Sequence, residues 1–231
     1  MPRGRPPKVE PVRNRFHGKI DSAIALIEAI NAIPTSVRRS QNPTLHPKYV
    51  GQVVELAFLG IVSNWEEFLE ASLVRYLAGA TVANRNVVRL KHGRADDLSH
   101  SRTLLSMNPD YNANSDYLNF TNTRWLLKRA DFYFANHPYT CLDNNNDLLK
   151  RATVIRNRIA HDSSKCKADF KDTAIYFLQP ENDTLTHGFG PAALLRSPVE
   201  RHFGAQAIQQ DKNHIEAYFD LYRDLSRRIV P

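Results

Sequence analysis

The residues best suited to chemistry in this chain are Arg156-Asn157-Arg158-Ile159-Ala160-His161-Asp162. A histidine can take or give a proton near neutral pH. An arginine stays cationic and offers several donors to phosphate oxygens as charge builds on them. An asparagine directly after the arginine can bind phosphate or hold a reacting side chain in orientation. RNA is a substrate that such a set could cleave without a metal ion, because each phosphodiester lies beside a ribose 2′-hydroxyl nucleophile. Two protons then have to be moved, and negative charge on the phosphorane has to be stabilised.

The spacing alone is not selective, because arginine followed closely by histidine recurs at Arg39/His46, Arg85/His92, Arg94/His100 and Arg196/His202. Context separates the copies. Pro43 interrupts the first and Pro198 the last, and the other two lie in a polar, irregular stretch. Only the Arg156 copy sits inside an unbroken amphipathic pattern. A plainer reading stays open, in which Arg156 and Arg158 are solvent-facing helix residues and His161 simply favours a helix C-terminus through the macrodipole.

Arg156-Asn157-x-x-Ala160-His161 resembles the signature of HEPN domains, small all-α modules of which many are metal-independent ribonucleases. Ser63-Asn64-Trp65-Glu66-Glu67-Phe68 is similar to a helix of that family. Arg129 to Phe134, followed by His137-Pro138-Tyr139, resembles its third helix and exit. The segments occur in the family's order, and the RiboL-PSP-HEPN branch or a near relative fits best. The resemblance implies cleavage to 2′,3′-cyclic phosphate and 5′-hydroxyl ends, with His161 as general acid/base, Arg156 on the phosphate and Asn157 assisting. It also implies a prokaryotic defence or toxin-like setting, with an antitoxin or sensor as a candidate partner. Glu66 or Glu70, one turn apart, is a weaker candidate for orienting an arginine.

Elements must then position these groups. The expected fold is all-α, a HEPN-like helical bundle of about five to six helices spanning 16–231. Ile20, Ile24, Ile27 and Ile30 mark a helix over Phe16–Ile33. His46 to about Ala80 reads as a long second helix, with Val50, Val54, Phe58, Ile61, Trp65, Phe68, Leu69, Leu73 and Leu77 as its apolar stripe and Gly79 at its end. Thr81 to Tyr117 reads as an excursion holding at most a short helix. A third helix runs from about Phe120 to Ala135, with Trp125, Leu126, Ala130, Phe132 and Tyr133 as core candidates. The motif helix begins near Asp143 to Asp147 and ends around His161, with Leu148, Ala152, Ile155 and Ile159 inward. Lys165–Gln179 is a fifth helix, Pro180–Pro198 a Gly/Pro-rich connection with room for a short hairpin, and Lys212–Ile229 the last helix.

On an ideal helix, Arg156 and His161 project roughly 140° apart. One helix therefore does not make a compact site. In the family resembled here, dimerisation brings two motifs face to face, so a symmetric homodimer is expected.

Charge points to an anionic partner. The net charge of +7 is concentrated at the start, where Arg3, Arg5, Lys8, Arg13 and Arg15 face only Glu10. Pro2-Arg3-Gly4-Arg5-Pro6-Pro7-Lys8 resembles an AT-hook, whose Arg-Gly-Arg core lies in the narrow minor groove of A·T-rich DNA. Arg3, Gly4, Arg5 and Lys8 are thus candidate nucleic-acid contacts on an extended or disordered tail over 1–15. A basic leader without a specific target explains the same residues. An alternative for the whole chain is a non-enzymatic, dimeric nucleic-acid-binding module that uses this tail.

Cys141 and Cys166 lack metal-ligand spacing, no His-Glu-x-x-His is present, and no phosphate loop or nucleophile elbow occurs, so neither metal nor cofactor is expected. No apolar run approaches the roughly 20 residues of a membrane span. The basic N-terminus has no signal-peptide apolar core, which makes a cytoplasmic chain the expectation.

Overall fold

The computed structural model describes residues 6–37, 44–82, 88–112, 115–116 and 118–231. Among these residues the chain is all-α: nine helices, a few 3₁₀ turns and isolated bridges instead of strands. The helices are α1 (Glu10–Asn31), α2 (Pro47–Leu77), α3 (Leu98–Ser106), α4 (Thr123–Tyr133), α5 (Asn146–Ala160), α6 (Ser164–Leu178), α7 (Pro191–Arg196), α8 (Ala205–Gln209) and α9 (His214–Ile229). Six of them match the expected helices, and α3 is the short helix of the excursion.

The chain divides into two compact units. The first contains 1–17, 64–146 and 223–231, and the second contains 18–63 and 147–222. In the first, Phe16 packs against Trp65 and Phe68 with ring centroids 5.6 and 5.3 Å away. Tyr76 Oη donates to the Ile229 carbonyl at 2.6 Å, and Tyr139 Oη and Ser72 Oγ share a hydrogen bond of 2.9 Å. These phenols are buried with their hydroxyls satisfied, as buried tyrosines require. In the second, Phe58 meets Tyr218 edge-on at 5.3 Å, and Tyr218 Oη donates to the Leu148 carbonyl.

Helix α1 begins at Glu10, inside the stretch expected to be extended up to residue 15. The first turn carries Glu10, and Pro11 fits there because the missing N–H would have no helical partner. Val9 is fully buried and Phe16, seven residues on, is buried on the same face, so this segment contributes to a core. Arg3, Gly4 and Arg5 lie outside the described residues; Lys8 is exposed just before α1.

The apolar stripe expected on α2 is buried at all nine positions. Gly79 follows it at φ +86°, the left-handed conformation that closes the helix. On α4 the expected inward Phe132 is instead 48% exposed, whereas Phe134, just past the helix, is buried. With Leu126, Ala130 and Tyr133 inward, Phe132 lies roughly 200° around the helix from Ala130, and the chain turns extended at Phe134, outside the helical phase. On α5 the buried residues are Leu149, Ala152 and Ile155, with Leu149 in place of the expected Leu148, and the expected Ile159 is only half-buried. Between Pro180 and Pro198 no hairpin forms; a 3₁₀ turn at Glu181–Asp183 and α7 occupy the stretch. Pro191 at the helix start and the Ala-Ala-Leu-Leu run favour a helix there, but six residues are too few to show a period.

Helix α7 has no side-chain cap of its own, and Glu55 of α2 supplies one. Its Oε1 accepts from Ala192 N at 3.0 Å, which places a carboxylate at the positive end of the helix. The two helices approach closely at Gly51, where an added Cβ would lie 3.0 Å from the Ala192 Cβ. Gly51→Val is therefore expected to cost about 1–3 kcal/mol through overpacking. Gly60→Ala, on the same helix with nothing within 4 Å of its added Cβ, is expected to be neutral or slightly stabilising. Thermal melts of the two variants check this contrast.

Helix α9 opens with a reciprocal cap: Asn213 Oδ1 accepts from Glu216 N, and Glu216 Oε2 accepts from Asn213 N, each at 3.0 Å. His214 sits at this start, 1% exposed, with Nδ1 2.9 Å from the Ser197 carbonyl and its ring 5.0 Å from Phe177. Burial pushes its pKa below the ordinary histidine value. The unfolded chain therefore takes up this proton first as pH falls. Stability from His214 is complete above the unfolded value of about 6.5 and declines as pH drops toward the lower folded value. Urea midpoints should fall between pH 7.5 and 5.5, and His214→Asn should reduce that dependence.

Candidate active site at the end of the fifth helix

Ala152 and Ile155, both fully buried, fix which way α5 faces. Arg151 adds a second anchor, with its guanidinium 3.4 Å from the Tyr176 ring centroid on α6. With that face turned inward, Arg156 falls at its edge and is half-buried, and its Nε is enclosed without a hydrogen-bond partner among the described residues. Arg156 Nη1 donates to Asn157 Oδ1 at 3.0 Å. The asparagine thus holds the guanidinium, one of the two roles its position suggested.

His161 lies just past the last residue of α5. Its backbone N–H still bonds to the Asn157 carbonyl at 2.9 Å, so the helical turn reaches it, and its side chain is exposed. The ring is open to an approaching substrate. Arg156, Asn157 and His161 occupy one end of one helix, with arginine at the buried edge and histidine on the outer side, as the roughly 140° separation requires.

The turn into α6 is organised by Asp162. Its carboxylate meets Arg158 Nη1 and Lys167 Nζ, each at 3.0 Å. Hydrogen bonding and charge from Lys167, followed by Arg158, hold this carboxyl below its ordinary pKa. The residue is exposed, so the pairs add little stability. Their consequence is positional, since they hold two cations on the residue that follows His161, and Arg158 Nη1 also donates to the His161 carbonyl at 3.3 Å. Ser163 then caps α6, with Oγ accepting from Cys166 N at 3.2 Å.

Beside this turn is a groove of about 380 Å³, whose lining includes Arg158, Lys167, Lys171, Phe170, Thr186 and Phe189. Arg158 belongs to the motif read from the sequence, whereas Lys167 and Lys171 were not singled out there. Lys167 and Lys171, four apart on α6, are the signal that was there to find, because helical spacing puts them on one face.

Glu66 and Glu70 of α2 belong to the first unit, and Glu70 does hold an arginine there: Arg102 Nε donates to its Oε1 at 2.7 Å. Both cysteines are free thiols. Among the described residues, no three His, Cys, Asp or Glu side chains are grouped to hold a metal ion, and no helix is long and apolar enough to cross a membrane. No family model, curated protein or solved structure matches this chain.

Proposed function

We propose that this chain is a HEPN-like, metal-independent RNA endonuclease that leaves 2′,3′-cyclic phosphate and 5′-hydroxyl ends. The observation that carries this reading is the Arg156–Asn157 hydrogen bond of 3.0 Å beside an exposed His161 at the same helix end. In this mechanism, His161 exchanges a proton with the 2′-hydroxyl or the leaving 5′-oxygen. Arg156 stabilises the negative charge on the non-bridging oxygens. Asn157 holds the guanidinium, and Arg158, Lys167 and Lys171 attract the flanking phosphates.

A single histidine cannot serve as base and acid at once on opposite sides of the phosphorus. Two copies facing one another supply a second His161 and Arg156, so the active species is a homodimer. The resemblance of the motif supports a setting in prokaryotic defence or a toxin-like stress response, with an antitoxin or sensor as the controlling partner.

The test is cleavage of a mixed RNA pool in EDTA by wild-type and His161→Ala protein, with analysis of the product ends. Cyclic phosphate ends that vanish in the variant support the nuclease. Absence of cutting by a well-folded dimer that binds A·T-rich DNA tightly, with binding lost in Arg3→Ala/Arg5→Ala, supports a nucleic-acid-binding module instead.

A further inference from the structure

The first unit contains a second concentration of positive charge, unrelated to the α5 motif. Three helices meet around a pocket of about 400 Å³: α1 brings Arg15, α2 brings Arg75, and α3 brings Arg102, while Lys8 stands at its edge. Glu67 and Glu70 also line it, so four cations face two carboxylates and the pocket keeps a positive excess. Val12, Phe16 and Phe68 supply apolar lining.

The arginines are held in different ways. Arg102 is fixed by Glu70, its Nε donating to Oε1 at 2.7 Å, and both side chains are about 33% exposed. Arg75 Nη1 donates to the Ala71 carbonyl at 3.0 Å, which occupies one of its five N–H donors and leaves its charge uncompensated. Arg15 has neither a carboxylate nor a hydrogen-bond partner among the described residues. Burial first, and then the charges of Arg15 and Arg102, lower the pKa of Arg75, so both arginines are close enough to repel it. An anion between them relieves that repulsion and uses the unoccupied donors in charge-assisted hydrogen bonds.

We propose that this pocket binds a nucleoside phosphate, with Arg15 and Arg75 on the phosphate and the apolar lining against the nucleoside. The volume favours this class over bare phosphate, since it lies within the roughly 300–1,000 Å³ range of small-molecule sites. Glu67, exposed and among the lining residues, supplies a polar group for the sugar or base. Glu70 acts as a positioning residue by holding Arg102. The site is independent of the nuclease reading and stands or falls separately from it.

Isothermal titration calorimetry with adenosine 5′-monophosphate at low salt tests the site, with adenosine and inorganic phosphate as comparison probes. The expected result is saturable binding of the monophosphate, tighter than either comparison probe and weakened by salt. Arg15→Gln and Arg75→Gln should each weaken it about tenfold or more. Lys19→Gln, the same charge change on an exposed residue that does not line the pocket, should leave it unchanged. Arg15 is exposed, so its variant carries the test if Arg75→Gln fails to fold. No saturable binding, equal binding of adenosine, or equal weakening by Lys19→Gln overturns the proposal.

Discussion

His161→Ala protein is expected to cleave RNA in EDTA about 10²- to 10⁴-fold more slowly than wild type, the usual loss when a general acid/base is removed. Its stability should change by no more than about 0.5 kcal/mol, because the ring is exposed and its removal opens no cavity. That combination separates chemistry from folding. Arg156→Ala should also lose cleavage but is less clean, since its guanidinium is half-buried at the edge of α5. Asn157→Ala releases the guanidinium without removing it, so it should reduce cleavage less than either. Single-turnover rates of the three variants, with urea midpoints on the same preparations, check the ordering. Equal cleavage by His161→Ala and wild type would remove the basis for the catalytic assignment.

The largest effect on stability is expected from Phe177→Ala, with a loss of about 3–5 kcal/mol. Phe177 is 1% exposed, and its ring has Phe203, His214 and Tyr218 at centroid distances of 5.8, 5.0 and 6.3 Å. Truncation leaves a cavity walled by large rings that cannot easily collapse. The expected loss is a substantial part of a typical domain stability of about 5–15 kcal/mol. Tyr176→Ala, one residue away but only half-buried, should cost less, although it removes the ring under Arg151. Urea unfolding at pH 7.5, where His214 is neutral in both states, measures the difference without the pH contribution.

Much of the fold was legible because helical periodicity is a local property. The nine-residue stripe of α2 is buried as expected, and α5, α6 and α9 begin and end within a few residues of their expected limits. The misses share a cause. Helix α7 is too short to display a period, Phe132 lies roughly 200° around the helix from the buried Ala130, and α1 starts early because Val9 finds a core to enter. In each case the deciding contact comes from outside the segment. The candidate site was legible in its α5 residues, since Arg156, Asn157 and His161 are close along one helix. The flanking cations on α6 were not, because their relevance depends on the turn at Asp162.

By itself, the sequence determined the all-α class, the main helices and the grouping of Arg156, Asn157 and His161, since these follow from 3.6-residue periodicity and from neighbours along the chain. Only the tertiary structure decided that Arg156 is half-buried while His161 is exposed, that Glu70 serves Arg102, and that Arg15, Arg75 and Arg102 line one pocket. Those facts depend on which helices pack together. That is set by the complementarity of whole apolar faces, which no local window of residues contains.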